Sequence, residues 1–470
     1  MSLRPPVTVC PPDQVGDVHF IAVGGTGMSG IAQLYAEQGI RVSGSDRADS
    51  PVLQRLRTAG VTTFVGHDPS QLGQARTVVV SSAIPETNPE LAAARRRGLR
   101  VWHRSAALAA LMLGRVGISI AGTHGKTTTS AMAVMMLEAA GADPSYVIGS
   151  PLQTSGTSAH LGQGDIFVVE ADESDGTFLQ YPTRIGVVTT LEADHLDNWG
   201  SAQRYAQGFV DFATASGVEV VIIDADDPGC RLLVAEVRRR HRRVVTVGEA
   251  SDAEIRLVDL QYPAGGAQAR LLWAGQEAPL VLSVPGVFNL HNAAAAFAVG
   301  LELGLDPDAL LRGAAQFRGT ERRFQLVAEV GGITIVDDYA HHPTEIAATL
   351  TAAREMGVRR VVACFQPHLY SRTRDFAVDF GQALAGADLV MVTDVYPARE
   401  EPIPGISGAL VAQAAVAAGA TVSYVERLEQ VPAALARLLA PGDLVLTLGA
   451  GDITTVGPRL ASLLERPDAG

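Results

Sequence analysis

The residues with the clearest chemical meaning surround the only lysine of the chain. Lys126 lies in AGTHGKTTTS (121–130), and every other basic residue among the 37 lysines and arginines is an arginine. A compact ammonium group fits between the β- and γ-phosphate oxygens of a nucleoside triphosphate better than a planar guanidinium group. The segment departs from the pattern GxxxxGK[ST], because Ile120 stands at the first glycine position. We interpret it as a phosphate-binding loop for a nucleoside triphosphate.

A triphosphate site also needs Mg²⁺, and the sequence offers oxygen ligands for this ion. Thr127 supplies a hydroxyl group directly after the lysine. The segment DIFVVEADESD (165–175) reads as a buried strand that runs into four acids, of which Glu170 lies nearest the strand end. The alternative interpretation is an acidic loop in solvent. We predict that Thr127 and Glu170 bind one Mg²⁺.

A second glycine-rich loop, GGTGMSG (24–30), lies about a hundred residues upstream. It contains the pattern GxGxxG, and Asp46 stands about 20 residues further on, where a ribose-binding acid is expected. A short pattern of this kind also arises by chance in a tight turn between a strand and a helix. We interpret the loop as a nucleotide or pyrophosphate site. Two other functions remain open for the protein. A nicotinamide-dependent dehydrogenase would use only this loop, and a non-enzymatic switch protein would use only the lysine loop.

Apolar runs alternate with helical patterns along the chain, which indicates an α/β fold with mostly parallel sheets. A length of 470 residues suggests about three domains. We predict the domains 1–114, 115–318 and 319–470. We predict helices at 28–38 and 127–140, and strands at 19–23, 41–45, 77–81, 117–121, 165–170, 185–190, 220–227, 332–337, 360–365, 389–392 and 443–448.

Composition excludes several classes of protein. A formal charge of −13 argues against a nucleic-acid partner, and the three separated cysteines indicate neither a disulfide framework nor a zinc cluster. The longest apolar runs are too short for membrane insertion, and the proline-rich first dozen residues do not resemble a signal peptide. We expect a cytoplasmic protein that acts as a monomer or a homodimer.

Eight motifs, in chain order, resemble those of the bacterial Mur ligases and cover nearly the whole chain. They are VGGTGMSGIA, AGTHGKTTT, VVEADESDGTF, LEADHLD, GTERRFQ, DDYAHHPTEI, FQPHLYSRT and DVYPAREEPIPG. The resemblance implies a Rossmann-like amino-terminal domain, a central P-loop ATPase domain with a mostly parallel sheet, and a Rossmann-like carboxy-terminal domain. It also implies that the lysine loop binds ATP and that the upstream loop faces the uridine diphosphate of a sugar substrate.

The reaction that the resemblance implies uses ATP and Mg²⁺ to activate a carboxylate. ATP phosphorylates the lactyl carboxylate of UDP-N-acetylmuramic acid, and the amine of an amino acid attacks the acyl phosphate. HHPTEI together with GGTGMSG favours L-alanine as that amino acid. Addition of D-glutamate, a diamino acid or a tripeptide remains an alternative, because selectivity between small amino acids depends on roughly 1–3 kcal/mol per methyl group.

The resemblance also assigns roles to individual residues. It implies catalytic roles for Lys126, His195, Arg322 and Arg323, and metal binding by Thr127, Glu170 and His195. The residues implied in ATP binding are Gly122, Thr123, His124, Gly125, Lys126, Thr127, Thr128, Asn292, Arg323 and Asp338, with Asp337 as the alternative to Asp338 at the ribose. The residues implied in substrate binding are Gly25, Thr26, Gly27, Ser45, Asp46, His67, Ser81, Ser82, Arg104, Tyr339, His341, His342, His368 and Arg372.

Overall fold

The structure is a computed structural model that describes residues 3–263, 265–398 and 400–465, without the side chains of Thr26 and Asp197. The chain packs into two compact units. The first consists of Met1–Val258, Arg270–Pro279 and His291–Gln316, and the second of Asp259–Ala269, Leu280–Leu290 and Phe317–Gly470. Within the described residues, no helix combines the length and the apolar composition that a membrane span requires.

Strands and helices alternate along most of the chain, as the hydrophobic pattern predicts. The strands are β1 Val18–Ile21, β2 Val42–Asp46, β3 Thr62–Val65, β4 Thr77–Val80, β5 Arg100–His103, β6 Val116–Ala121, β7 Ser145–Val147, β8 Ala159–His160, β9 Ile166–Glu170, β10 Ile185–Val188, β11 Val220–Asp224, β12 Arg243–Gly248, β13 Ile255–Gln261, β14 Ala267–Trp273, β15 Gln276–Leu282, β16 Gln325–Val330, β17 Ile333–Asp338, β18 Arg360–Phe365, β19 Leu389–Val392, β20 Val422–Tyr424 and β21 Asp443–Leu448. The helices are α1 Thr26–Glu37, α2 Pro51–Thr58, α3 Pro89–Arg96, α4 Arg104–Met112, α5 Lys126–Ala139, α6 Leu196–Trp199, α7 Ala202–Ala213, α8 Pro228–Arg239, α9 Val287–Glu302, α10 Pro307–Gln316, α11 Pro343–Glu355, α12 Tyr370–Leu384, α13 Gly408–Ala417, α14 Val431–Ala436 and α15 Val456–Leu464.

The first sheet has five strands in the order β3-β2-β1-β4-β5, and all four pairs are parallel. The chain adds strands on one side of β1 and then, from β4 onward, on the other side. This reversal between β1 and β4 is the point at which open parallel sheets bind ligands, beyond the carboxyl ends of the strands. The sheet therefore confirms the Rossmann-like fold predicted for the amino-terminal domain.

The second sheet has ten strands in the order β15-β14-β13-β12-β11-β10-β6-β9-β7-β8. The run from β12 to β7 is parallel, and β8 pairs antiparallel with β7. Strand β6, which leads into the lysine loop, lies between β9 and β10. A parallel sheet of this kind places the carboxyl ends of β6, β9, β10 and β11 at one edge, where their following loops meet.

The third sheet lies in the second unit and has the order β16-β17-β21-β18-β19-β20. Its first pair is antiparallel and the other pairs are parallel. Separate apolar clusters contain Phe365, Phe380 and Leu446 in one case and Ile335, Val445 and Leu460 in the other. Because Leu446 and Val445 are neighbours on β21, the two clusters cover opposite faces of the sheet. This arrangement is Rossmann-like, as predicted for the carboxy-terminal domain.

The predicted strand 220–227 is too long, because β11 ends at Asp224. The Oδ1 atom of Asp224 accepts hydrogen bonds from the backbone N–H groups of Asp226 and Asp227 at 2.7 and 3.1 Å. Asp227 then caps α8 through the N–H group of Cys230 at 2.8 Å. These local bonds compete with strand pairing, which is the usual behaviour of aspartate at strand ends and helix caps.

Candidate active site

The lysine loop lies between the buried strand β6 and the first turn of α5. Gly122 and Gly125 have φ angles of 135° and 82°, which other residues adopt only with strain. A Cβ atom at Gly122 would lie 2.0 Å from Oγ1 of Thr189, and one at Gly125 would lie 2.7 Å from Oδ1 of Asn292. Both glycines are therefore needed for the chain to pass between its neighbours and begin the helix. The free N–H groups of this helix start suit a phosphate group.

The residues that follow β10 hold the loop in place. The N–H group of Thr123 donates to the carbonyl oxygen of Thr190 at 2.9 Å, and the N–H group of His124 donates to Oγ1 of Thr190 at 2.8 Å. The hydroxyl of Thr123 donates to the carbonyl oxygen of Glu192 at 2.9 Å. The loop is thus fixed before any nucleotide binds, which lowers the entropic cost of binding.

Lys126 extends back over its own loop. Its Nζ atom donates to the carbonyl oxygens of Gly122 and Thr123 at 2.6 and 3.1 Å, and it lies 2.9 Å from Oε2 of Glu173. Burial alone would lower the pKa of Lys126, but the carboxylates of Glu173 and Asp172 outweigh burial and raise it. The side chain therefore carries a positive charge at the place where the sequence predicts the terminal phosphates of a nucleotide.

Glu173 is the main site residue that sequence reasoning missed. Its side chain is 1% exposed, and its Oε1 atom lies 3.9 Å from Nε2 of His195. Its backbone carbonyl accepts a hydrogen bond from Nε1 of Trp199 at 3.0 Å. The predicted metal ligand Glu170 instead accepts a hydrogen bond from the N–H group of Gly149 at 2.8 Å. The sequence shows Glu170 at the end of the predicted strand and Glu173 three residues later, but strand periodicity does not extend into the loop and does not say which acid faces the lysine.

The predicted metal ligands suit a hard cation. Thr127 is buried in the first turn of α5, and Glu170 ends the neighbouring strand β9. His195 precedes α6 with a φ angle of 52° and directs its imidazole toward Glu173 and Asp194. Hydroxyl and carboxylate oxygens are the ligands that Mg²⁺ prefers, and imidazole is a less usual one. The donor set thus fits Mg²⁺, and the assignment of each ligand stays a prediction.

Asn292 lies beside the lysine loop. Its Oδ1 atom accepts a hydrogen bond from Oγ1 of Thr129 at 3.0 Å and packs against Gly125. Both Asn292 and Thr128 are buried. The structure therefore brings together the residues of the first unit that the sequence assigned to ATP.

The glycine-rich loop of the first sheet contacts its predicted acid. The N–H group of Gly24 donates to Oδ2 of Asp46 at 2.9 Å. The N-cap of α1 is Gly25, with an extended backbone and no capping side chain, so the first N–H groups of the helix remain available. The side chain of Thr26 lies outside the described part of the chain. This geometry suits a ribose or diphosphate ligand, as predicted.

Arg104 and Ser82 bind carboxylates of the acidic segment after β9. The Nη2 atom of Arg104 lies 2.9 Å from Oδ2 of Asp172, and a Cβ atom at Gly27 would lie 2.6 Å from Nη1 of the same arginine. The hydroxyl of Ser82 donates to Oδ2 of Asp175 at 2.8 Å. The acidic segment therefore links the glycine-rich loop to the lysine loop within the first unit.

Two other predicted substrate residues, Ser45 and His67, lie together at the carboxyl edge of the first sheet. Oγ of Ser45 is 2.9 Å from Nδ1 of His67. Ser81, also predicted, follows β4 and accepts a hydrogen bond from the N–H group of Ile84 through its backbone carbonyl at 3.2 Å. The structure thus gathers the residues of this set near strand ends.

In the second unit, Arg322 and Arg323 both lie over the ring of Tyr339, at 4.8 and 5.2 Å from its centroid. Arg322 also pairs with Asp337 at 3.3 Å and donates to the carbonyl oxygen of Gly449 at 2.6 Å. These contacts hold Arg322 within its own unit, and catalytic roles for the two arginines stay predictions.

Asp338 uses both carboxylate oxygens inside the second unit. Oδ2 accepts from the N–H group of Phe324 and Oδ1 from that of Ala340, each at 2.7 Å. Burial raises the pKa of Asp338 to about 6. The residue ends β17 at the carboxyl edge of the third sheet, where a ribose contact is expected. The alternative, Asp337, accepts hydrogen bonds from Thr447 and Thr454 at 2.6 and 2.8 Å.

The remaining predicted substrate residues form an aromatic group beside Asp338. The ring of His341 lies 5.2 Å from that of Tyr339 and 6.0 Å from that of His368. Burial lowers the pKa of His341 to about 3, so its ring is neutral at physiological pH. His342 packs on Phe376, and Arg372 is buried on α12. All of these predicted positions therefore lie close together in the second unit.

Comparison with known protein families gives three matches along the chain. Residues 17–115 match the model described as Mur ligase family, catalytic domain, and residues 120–300 match the Mur ligase middle domain. Residues 322–451 match the model described as Mur ligase, glutamate ligase domain. The chain belongs to the Mur ligase family. It is accordingly a three-domain α/β ligase.

Individual Mur ligases are similar over the full length. UDP-N-acetylmuramate–L-alanine ligase of Cutibacterium acnes is 59% identical, over 99% of this chain and 99% of the relative. The protein of the same name from Kineococcus radiotolerans is 52% identical, over 96% of this chain and 97% of the relative. The crystal structure of UDP-N-acetylmuramate–alanine ligase from Thermotoga maritima has a TM-score of 0.80 at 28% identity, covering 95% of this chain and 98% of that structure.

Proposed function

We propose that this Mur ligase joins L-alanine to the lactyl carboxylate of UDP-N-acetylmuramic acid, with ATP converted to ADP and phosphate, in the synthesis of peptidoglycan precursors. The observation that carries the proposal is the preformed lysine loop, with Lys126 against Glu173 at 2.9 Å. The chain carries this loop in a sequence that is 59% identical to a relative named for the same reaction.

A carboxylate at neutral pH does not acylate an amine, so the reaction needs a better leaving group. Transfer of the terminal phosphoryl group of ATP to a lactyl oxygen supplies one, and attack by the amine of alanine then expels phosphate. Catalysis consists mainly of positioning and charge neutralisation, because no protein nucleophile is required. Lys126 and the N–H groups from Gly122 to Thr128 hold the triphosphate, with Asn292 beside the loop.

We assign Mg²⁺ to Thr127, Glu170 and His195, with Glu173 adjacent. When bound, the ion neutralises charge on the transferred phosphoryl group. Glu173 keeps its carboxylate on Lys126 in the structure, and we infer that nucleotide binding replaces this contact, because the terminal phosphates compete for the same ammonium group.

We assign the uridine diphosphate to the first sheet, through Gly25, Gly27 and Asp46. We assign the amino acid and the muramoyl end to Tyr339, His341, His342, His368 and Arg372, and the ATP ribose to Asp338. The domain boundaries after residues 114 and 318 are part of the same proposal. ATP and nucleotide-linked sugars are cytoplasmic metabolites, so we place the reaction in the cytoplasm.

The test is phosphate release from ATP with a set of acceptors and amino acids, and mass analysis of the nucleotide product. We expect phosphate release only when UDP-N-acetylmuramic acid and L-alanine are both present, with weak release for glycine or L-serine. D-glutamate, a diamino acid and a tripeptide with the same acceptor test the related ligases. Equal consumption of ATP without an acceptor would contradict the proposal, and preference for one of the other amino acids would correct its substrate.

A further inference from the structure

A fully buried carboxylate lies close to the carboxyl edge of the first sheet, where open parallel sheets bind ligands. Glu90, on α3, has no exposed surface. Its Oε2 atom accepts hydrogen bonds from Oγ of Ser45 at 2.6 Å and Nδ1 of His67 at 2.8 Å. Its Oε1 atom lies 3.2 Å from Nε2 of His19. The side-chain amide of Gln71, oriented so that its nitrogen faces acceptors, donates to the same oxygen at 3.0 Å.

The surroundings of Glu90 keep it ionised. Burial would raise the pKa of Glu90, but the hydrogen bonds from His19, Ser45 and His67 outweigh burial and lower it. An ionised carboxylate accepts hydrogen bonds and cannot donate them. Each of its partners must therefore donate, so Nδ1 of His67 carries a proton and the hydroxyl of Ser45 points toward Glu90.

The other edge of the His67 ring is directed away from Glu90. The His67 side chain is 22% exposed, whereas that of Glu90 is not exposed at all. Among the residues that the structure describes, no hydrogen bond is assigned to Nε2 of His67. A histidine fixed by one nitrogen presents the other as a defined acceptor or donor, and which of these it is depends on the first bond.

His67 lies at the carboxyl ends of the strands of the first sheet, where a nucleotide is expected to bind. Ser45 and Asp46 end β2, and His67 follows β3 by two residues. The N–H group of Gly66 donates to the carbonyl oxygen of Asp46 at 2.7 Å, while the carboxylate of Asp46 contacts the glycine-rich loop. Ligands of parallel α/β sheets lie beyond these strand ends, with the nucleoside near the acid at the end of the second strand.

We propose that Glu90 is a positioning residue that fixes His67 as the Nδ1–H tautomer, so that Nε2 accepts a hydrogen bond from an N–H or O–H group of the uridine. The proposal rests on the proposed function for the identity of the nucleotide. The proposal predicts that the protein prefers a nucleoside with a hydrogen-bond donor opposite Nε2 of His67. Uracil donates through N3, whereas cytosine has an acceptor there, and the ribose hydroxyls donate in both nucleosides.

The tautomer of His67 can be measured in the wild-type protein by ¹⁵N NMR with labelled histidine at pH 7.5. The signals are assigned by their loss in His67→Gln. We expect a protonated Nδ1 and an unprotonated Nε2. The Nε2–H tautomer, or a doubly protonated ring, would overturn the proposal, and this measurement does not depend on the stability of any Glu90 variant.

Steady-state kinetics test whether Glu90 acts through His67. Losing one oriented hydrogen bond costs on the order of 1–1.5 kcal/mol, so Glu90→Gln should raise the KM for the UDP-sugar about tenfold. The kcat and the KM for ATP should stay within about twofold, since no contact at the lysine loop changes. Glu86→Gln is the matched control, because Glu86 is exposed on the same segment and pairs only with Arg95 among the described residues.

A double mutant separates positioning from a general effect on the fold. If Glu90 acts through the ring of His67, the double mutant Glu90→Gln with His67→Ala should have a KM for the UDP-sugar no higher than that of His67→Ala alone. Additive losses, or a fall in kcat at unchanged KM, would contradict the proposal.

Calorimetric binding of UDP, CDP and 2′-deoxy-UDP identifies the donor on the ligand. Weaker binding of CDP indicates uracil N3–H, and weaker binding of 2′-deoxy-UDP indicates the 2′-hydroxyl. 3′-Deoxy-UDP, measured in the same way, tests the 3′-hydroxyl. Equal binding of all four nucleotides would overturn the assignment of Nε2 as an acceptor. A wild-type protein that binds UDP with the expected tautomer but forms no product would count against the proposed function and leave the role of Glu90 standing.

Discussion

At the scale of residues, Lys126 combines three contacts that depend on the shape of an ammonium group. Its Nζ atom reaches two loop carbonyls and one carboxylate within 2.6–3.1 Å. A guanidinium group is wider and planar, and it cannot occupy the same point between a loop and a phosphate. The chain uses arginine at every other basic position, which makes this lysine informative even in the sequence.

Lys126→Arg should therefore reduce kcat/KM by at least about a hundredfold although the charge is kept. The measurement is coupled ADP release with the three substrates. Arg96→Lys is the control, because Arg96 is exposed and the same two residue types are exchanged. Turnover close to wild type in Lys126→Arg would show that the loop does not act on the phosphates through this side chain.

The metal assignment gives a second prediction at this scale. If Glu170 is a ligand, Glu170→Gln should raise the Mg²⁺ concentration for half-maximal activity about tenfold or more, because a neutral amide is a weaker ligand than a carboxylate. Glu219→Gln, an exposed pair partner of Arg184, serves as the control. An unchanged Mg²⁺ requirement in Glu170→Gln, together with a raised one in Glu173→Gln, would transfer the role to Glu173.

Some residues of the candidate sites can be recognised from composition and sequence motifs, whereas others are recognised only from their buried contacts in the structure. Lys126 and Thr127 could be predicted from the sequence to lie beside each other in one site, because a helix start fixes where their side chains point. Glu173 and Glu90 could not, since each acquires its role from partners 47 and 45 positions away. No local pattern records such contacts.

At the scale of elements, the period of apolar residues predicted several strands whose two faces are buried, but it missed β12, in which only Arg243 is exposed. The strands at 360–365, 389–392 and 443–448 agree with β18, β19 and β21. The errors in the predicted strands lie at ends where polar side chains bond to the backbone, as at Asp224. The predicted strand 185–190 is likewise two residues too long, because β10 ends at Val188. The hydroxyl groups of the next two residues, Thr189 and Thr190, bond to His124 of the lysine loop.

His291 joins three elements and gives a prediction about pH. It lies on α9, 2.7 Å from Asp224 at the end of β11 and 3.4 Å from Glu249 after β12, with Asp226 3.9 Å away. Burial would lower the pKa of His291, but the hydrogen bond and charge of Asp224, supported by Asp226 and Glu249, raise it from 6.5 to about 8.

Because the folded pKa is the higher one, this contact stabilises the fold fully below pH 6.5, and the contribution is lost as the pH rises through 8. His291→Asn should lower the free energy of unfolding by up to about 2 kcal/mol at pH 6 and much less at pH 9. Urea denaturation at both pH values measures this, with the exposed His241→Asn as control. A difference that is equal at the two pH values would refute the charged contact.

At the scale of the whole molecule, one acidic segment contacts both glycine-rich loops, for which we propose separate ligands. The acidic segment after β9 gives Glu173 to Lys126 and Asp172 to Arg104, which packs on the loop of the first sheet. In the proposed reaction, one loop serves the phosphate that is transferred and the other the diphosphate that is carried unchanged. The sequence predicted both loops but could not predict the link, because it depends on how β9 is aligned with β6 in the sheet.

In the proposed reaction, the phosphoryl group of ATP passes to the sugar carboxylate before the amide forms. UDP-N-acetylmuramic acid labelled with ¹⁸O in the lactyl carboxylate tests this directly, with ATP and L-alanine as the other substrates. The oxygen that attacks phosphorus leaves with the phosphate, so mass analysis should find one ¹⁸O atom in each phosphate released. Unlabelled phosphate alongside normal amide formation would contradict an acyl phosphate intermediate.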